Sequence, residues 1–127
     1  MPIFFGPMPG PRQWPEGRTF DFRTTPRMRM IGIRMRTNPD QLTAMLPDRF
    51  ELRGDPIVTV ELNYMTEIGW LAGRGYNLCD VKFEVTYHSS NGPVHGTLVL
   101  VRWENLCDPI LSGREELGHN KLYCEIP

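Results

Sequence analysis

The chain of 127 residues is short of the features that would assign it quickly. Its three cysteines, Cys79, Cys107 and Cys124, form no close pair. That argues against a disulfide framework and for a reducing, cytoplasmic setting. No apolar run approaches the length of a membrane span, so no membrane partner is expected. Met1 to Pro7 lacks the basic and long apolar regions of a secretory signal. Net charge is −1, so no basic excess points to nucleic acid or a membrane surface. The cysteines, with His88 and His95, show no zinc-ligand spacing, and neither a metal nor another cofactor is expected. No G-x-S-x-G elbow and no phosphate-binding loop occurs, and Ser112 has no motif around it.

Proline and glycine, by contrast, are plentiful at twelve each, which favours short strands and frequent turns over long helices. Hydrophobic content of 40% and charged content of 23% suit one small soluble domain with a core. Residues 1–26 read as an extended proline-rich arm, with Phe4, Phe5 and Trp14 as candidate anchors. Residues 27–127 read as one β domain. Arg27 to Arg36 alternates basic and apolar residues, which predicts a strand with a bulge at Gly32. Asn38 as N-cap, Pro39 in the first turn, the spacing of Leu42, Met45 and Leu46, and Pro47 as stop predict a short helix. Pro56 to Thr66 is a strand, and Gly69 to Asn77 a glycine-broken loop or bent segment. Val81 to His88 alternates cleanly. The turn Ser89-Ser90-Asn91-Gly92 joins it to a hairpin partner over Thr97 to Trp103. Asp108 to Glu116 reads as a turn with room for one helical turn, and Lys121 to Ile126 as the last strand.

The class is therefore mainly β (α+β): an antiparallel sheet with one or two short helices. A final strand with no closing partner leaves an open edge. The chain is thus expected to be the N-terminal portion of a larger domain or to close as a homo-oligomer.

One residue suggests specific chemistry. Lys121 ends the run Gly113-Arg114-Glu115-Glu116-Leu117-Gly118-His119-Asn120-Lys121 and enters the apolar pair Leu122-Tyr123. Burying an ammonium is costly, yet desolvation is what an amine nucleophile needs, because only the neutral amine attacks a carbonyl. Lys121 is either such a nucleophile or an ordinary lysine at the mouth of a strand. Glu61 points away from Val60 and Leu62, toward solvent or a cavity. Arg27, Arg29, Arg34 and Arg36 read as a solvated strand face, with Arg29 the candidate exception. Tyr76 and Trp70 suit packing or a cavity wall. Arg114 and Glu115 suit a turn held by hydrogen bonds, and His119 is placed either to tune Lys121 or to satisfy a loop.

Three segments, taken in order, resemble the acetoacetate decarboxylase family from about Arg27 onward. They are Arg34 to Leu42 leading to Leu46-Pro47, Val58 to Leu62 with the Gly73-Arg74-Gly75-Tyr76-Asn77 loop, and Gly113-Arg114-Glu115 followed by Lys121. The resemblance implies a cone- or barrel-like β-fold about twice this length, with the lysine in a closed cavity. It also implies imine chemistry on β-keto or related oxo acids. Acetoacetate decarboxylase is itself the standard example of a lysine activated by desolvation or a neighbouring cation. Lys121 then matches the imine-forming lysine and Glu61 a cavity glutamate. The cavity arginine falls at Met28 by register, and a one-residue slip at a Gly32 bulge would give Arg29. The second cavity glutamate falls at Leu78, with Asp80 two residues on as a substitute facing the same side. Leu122 stands where some members carry a second lysine. The expected function is a Schiff-base lyase on a small oxo acid, with Lys121 and Glu61 catalytic and Arg29, Asp80 and Tyr76 on the substrate. The alternative is a non-catalytic small-molecule-binding β-domain, or an inactive fragment of that fold.

Overall fold

A computed structural model of the chain describes residues 26–71 and 73–127. The proline-rich arm, apart from Pro26, lies outside the described residues, as do Phe4, Phe5 and Trp14. Six strands form one sheet: β1 (Arg27–Arg36), β2 (Phe50–Leu52), β3 (Ile57–Thr66), β4 (Tyr76–Ser89), β5 (Gly92–Glu104) and β6 (Lys121–Tyr123). Two helices, α1 (Pro39–Ala44) and α2 (Cys107–Leu117), and a 3-10 turn at Gly69–Leu71 complete it. The mainly β reading with two short helices holds. The sheet runs β1-β3-β4-β5-β6, with β2 on β4, and is open among the described residues.

Local chemistry explains most elements. The Asn38 side chain accepts a 2.8 Å hydrogen bond from the Asp40 amide, and Pro39 occupies the first turn of α1. The hairpin closes through Ser90 and Asn91, and Gly92 follows with a φ of 112° that favours glycine. Gly75 is required sterically, because a Cβ there would collide with the Met65 carbonyl oxygen on the neighbouring strand. β4 is long enough to serve two partners on one edge, β3 along residues 76–82 and β2 along 85–87.

Three expectations change. Gly32 is no bulge; it pairs with Glu61 inside an uninterrupted β1–β3 register. The irregularity falls between Val81 and Lys82 of β4, where Leu100 is the extra residue of β5. And β6 runs parallel to β5, not antiparallel. The reason is α2, an eleven-residue helix where a turn was expected. A crossover carrying a helix returns the chain in the same direction, which a tight turn cannot do. Pro109 is tolerated because it sits in the first helical turn, and Gly118, at φ 66°, ends the helix in the left-handed region.

The apolar core lies on one face of the sheet. Leu42 of α1 packs with Phe83 and Val85, ringed by Leu46, Phe50, Leu52, Val58, Leu98 and Leu100. Burying a side chain such as Phe83 contributes about 1.5–3 kcal/mol. By strand alternation the other face of β3, β4 and β5 carries Glu61, Asp80 and Arg102. β1 forms an edge whose Met28, Met30, Ile31, Ile33 and Met35 are all exposed. Neither described helix is long and apolar enough to cross a membrane.

Candidate active site

The register places one row of residues across five strands: Gly32, Glu61, Asp80, Arg102 and Lys121. The next row on the same face is Met30, Asn63, Leu78, Glu104 and Tyr123. A third begins Met28, Met65, Tyr76. Lys121, Glu61, Asp80 and Tyr76, far apart in sequence, thus share one face.

Lys121 is buried, at 6% exposure. Its Nζ lies 2.8 Å from Glu104 Oε1 and donates a 2.9 Å hydrogen bond to the Pro109 carbonyl of α2. The apolar shelter expected from Leu122 and Tyr123 is not what buries it, for both are about half exposed. The cover is α2. Gly113 packs against the lysine so closely that a Cβ there would sit 2.6 Å from Lys121 Cδ and Nζ. Arg114 Nη1 donates a 2.8 Å hydrogen bond to the Lys121 carbonyl. The Gly-Arg pair of the Gly113-Arg114-Glu115 run therefore acts on Lys121 directly, the glycine by leaving room and the arginine by fixing the backbone. Glu115 is exposed.

Three acid–base pairs tile this face. Lys82 meets Glu61 at 2.8 Å, with Asn63 donating to the same carboxylate at 3.0 Å. These two bonds hold the Glu61 carboxyl below the usual range, against a smaller opposing effect of burial. Asp80, at 2% exposure, accepts a bidentate pair of bonds from Arg102 at 2.6 and 2.7 Å. That bond is the main reason the Arg102 guanidinium is held more firmly protonated than usual. Glu104–Lys121 is the third pair. Burial, and then the Glu104 charge, push the Tyr76 phenol well up, so it stays a hydrogen-bond donor. Burial, then the charges of Arg102 and Lys121, pull His119 below 6.5, so at neutral pH it is an uncharged ring beside the lysine.

Arg29 does not join this face. It pairs with Tyr64, alternates to the side of Ile31 and Ile33, and is exposed on β1, at the opposite end of the strand order from β6 and Lys121. With no bulge at Gly32, no one-residue slip brings it round. The guanidinium that stands in the Lys121 row is Arg102. Leu78, where a second glutamate was expected, is buried on the site face, and its partner on β5 is Glu104. Arg102 and Glu104 both escaped the sequence reading. Their trace is the alternation of polar side chains at the end of β5, visible only once that strand is known to reach Glu104.

Grooves of about 640 Å³ run beside Arg27, Met28, Arg29 and Ile31, and beside Arg34, Thr59, Lys82 and Glu84, and neither includes Lys121. Volume alone would not pick out this site; the buried charges do. Among the described residues no group of three His, Cys, Asp or Glu side chains is arranged to hold a metal.

The family model for acetoacetate decarboxylase matches residues 1–127. The chain belongs to the acetoacetate decarboxylase family. Among solved structures, the acetoacetate decarboxylase of Legionella pneumophila subsp. pneumophila str. Philadelphia 1 is similar, with a TM-score of 0.61 and 26% identity, over 76% of this chain and 36% of that one. An acetoacetate decarboxylase-like enzyme from Sphingomonas wittichii RW1 shares the fold at TM-score 0.60 and 17% identity, over 76% and 39%. So does the enduracididine biosynthesis enzyme MppR, complexed with the condensation product of pyruvate and imidazole 4-carboxaldehyde, at 0.61 and 14%, over 76% and 38%. The chain thus spans 36 to 39% of the length of these proteins. None of the curated proteins matches it.

Proposed function

We propose that this chain carries the lysine of an acetoacetate decarboxylase-like lyase that acts on a small β-keto or oxo acid through an imine. The observation that carries the reading is the setting of Lys121. Its amine is buried under the Gly113-Arg114 turn of α2, 2.8 Å from the Glu104 carboxylate, which has no other ion-pair partner among the described residues. Decarboxylation of a β-keto acid leaves electrons on carbon, and a protonated imine on Lys121 would accept them, releasing carbon dioxide and an enamine. Glu61, paired with Lys82, and Tyr76, kept as a phenol, line the same face and suit proton handling and substrate contact. Arg102, held by Asp80, takes the place proposed from sequence for Arg29 in orienting a substrate carboxylate. Complexes of MppR with pyruvate support an oxo acid as the substrate class.

A second reading keeps one point in its favour. The Lys121–Glu104 pair also satisfies the lysine as an internal ion pair, which is all a non-catalytic small-molecule-binding domain needs. Incubation with acetoacetate or pyruvate followed by borohydride separates the two. A reduced adduct on Lys121, located by mass spectrometry, is the expected result. A folded protein with no adduct there would favour the binding domain.

A further inference from the structure

Glu104 is completely buried, and among the described residues neither of its oxygens has a hydrogen-bond partner. Oε1 lies 2.8 Å from Lys121 Nζ as an ion pair, while Oε2 has neither an ion-pair nor a hydrogen-bond partner among the described residues. A carboxylate kept at this depth for structure alone normally has both oxygens bonded. Arg102, whose charge Glu104 feels, is bound on two nitrogens by Asp80 and makes no hydrogen bond to Glu104. The other titratable groups facing Glu104 are Tyr76 and His119, and neither hydrogen-bonds it. Glu104 is thus within direct proton-transfer distance of Lys121, with one oxygen spare.

We infer that Glu104 takes the proton from the Lys121 ammonium and returns it to the oxygen that leaves during imine formation. This role rests on the reading of Lys121 as the imine-forming residue. The steps balance. Proton transfer from Nζ to Glu104 gives a neutral amine and a neutral acid. The amine nitrogen bonds to the substrate carbonyl carbon, and a proton shifts from nitrogen to the former carbonyl oxygen, giving a carbinolamine. The acid proton of Glu104 then passes to that hydroxyl, the carbon–oxygen bond breaks, and water leaves. A protonated imine and the Glu104 carboxylate remain. The same spatial neighbour fills a chemical gap, because Glu104 sits across from Leu78, where sequence had placed a missing carboxylate.

The test compares two reactions of Lys121 in the full chain. Borohydride trapping with pyruvate or acetoacetate requires loss of water from the carbinolamine, whereas trinitrophenylation requires only the free amine. In Glu104→Gln, trapping is expected to fall by about 10²–10⁴-fold, the ordinary worth of a positioned acid–base group. Trinitrophenylation is expected to hold or rise, since a carboxylate beside an amine favours its charged form. A purely structural Glu104 would move both reactions in the same direction. Trapping that is unchanged, or that falls together with trinitrophenylation in a folded variant, overturns the inference. If Glu104→Gln does not fold, Glu104→Asp decides, because its shorter acid retracts from Nζ and must give the same split. If the wild type forms no adduct at all, the imine reading fails by itself. The inference about Glu104 falls with it, whereas a wild type that traps the oxo acid leaves Glu104 to be judged by the variants alone.

Discussion

Replacing Gly113 by alanine sets two effects of known size against each other. In a helix interior alanine is favoured over glycine by about 0.8–1.0 kcal/mol, so propensity alone predicts a more stable protein. The added Cβ, however, would stand 2.6 Å from Lys121 Cδ and Nζ. Carbon contacts are comfortable at about 3.5–4.0 Å, so the lysine end must retreat by roughly 1 Å. That displacement breaks the 2.8 Å contact with Glu104 and the 2.9 Å bond to the Pro109 carbonyl. Separating a buried ion pair costs about 3–5 kcal/mol when one charge is stranded. The net expectation is a loss of about 2–4 kcal/mol, read from the urea midpoint, together with loss of the borohydride adduct on Lys121. A Gly113→Ala protein that is more stable by the helix term and still traps an oxo acid at the wild-type rate would refute this account of the glycine.

Two further outcomes follow from the other pairs on this face. Arg102→Met strands the buried Asp80 carboxylate and is expected to cost about 3–5 kcal/mol. The double variant Arg102→Met with Asp80→Leu should recover most of that in urea denaturation, and strictly additive losses would contradict the pairing. Glu61 has its folded-state value held below the ordinary 4.5 by Lys82 and Asn63. Its contribution to stability is therefore full above about 4.5 and lost as the pH falls through the lower folded value. Lys82→Met should flatten this acid-side slope in melting temperature while leaving the neutral-pH dependence alone; an unchanged slope would remove Glu61 as its source.

How much of this was legible beforehand depends on the range of the signal. α1 was readable because its cap, its first-turn proline and its apolar spacing lie within a few residues of one another. The long strands were readable because side-chain alternation has a period of two and needs no partner. β2 was missed because three residues are too few to show a period. α2 was misread because Pro109 and Gly113 look like breakers. In the fold one sits harmlessly in the first turn and the other is small because Lys121 lies against it.

The sequence by itself determined the strand faces, the capped helix and the spacing that singles out Lys121, since each is set by neighbours along the chain. Only the tertiary structure decided which charges meet. Register put Asp80 beside Arg102, set Glu104 across from Leu78, and turned Arg29 away, and the helical crossover laid β6 parallel to β5 so that Lys121 reached Glu104. Pairing across strands is a long-range contact, and alternation along one strand carries no record of its partner.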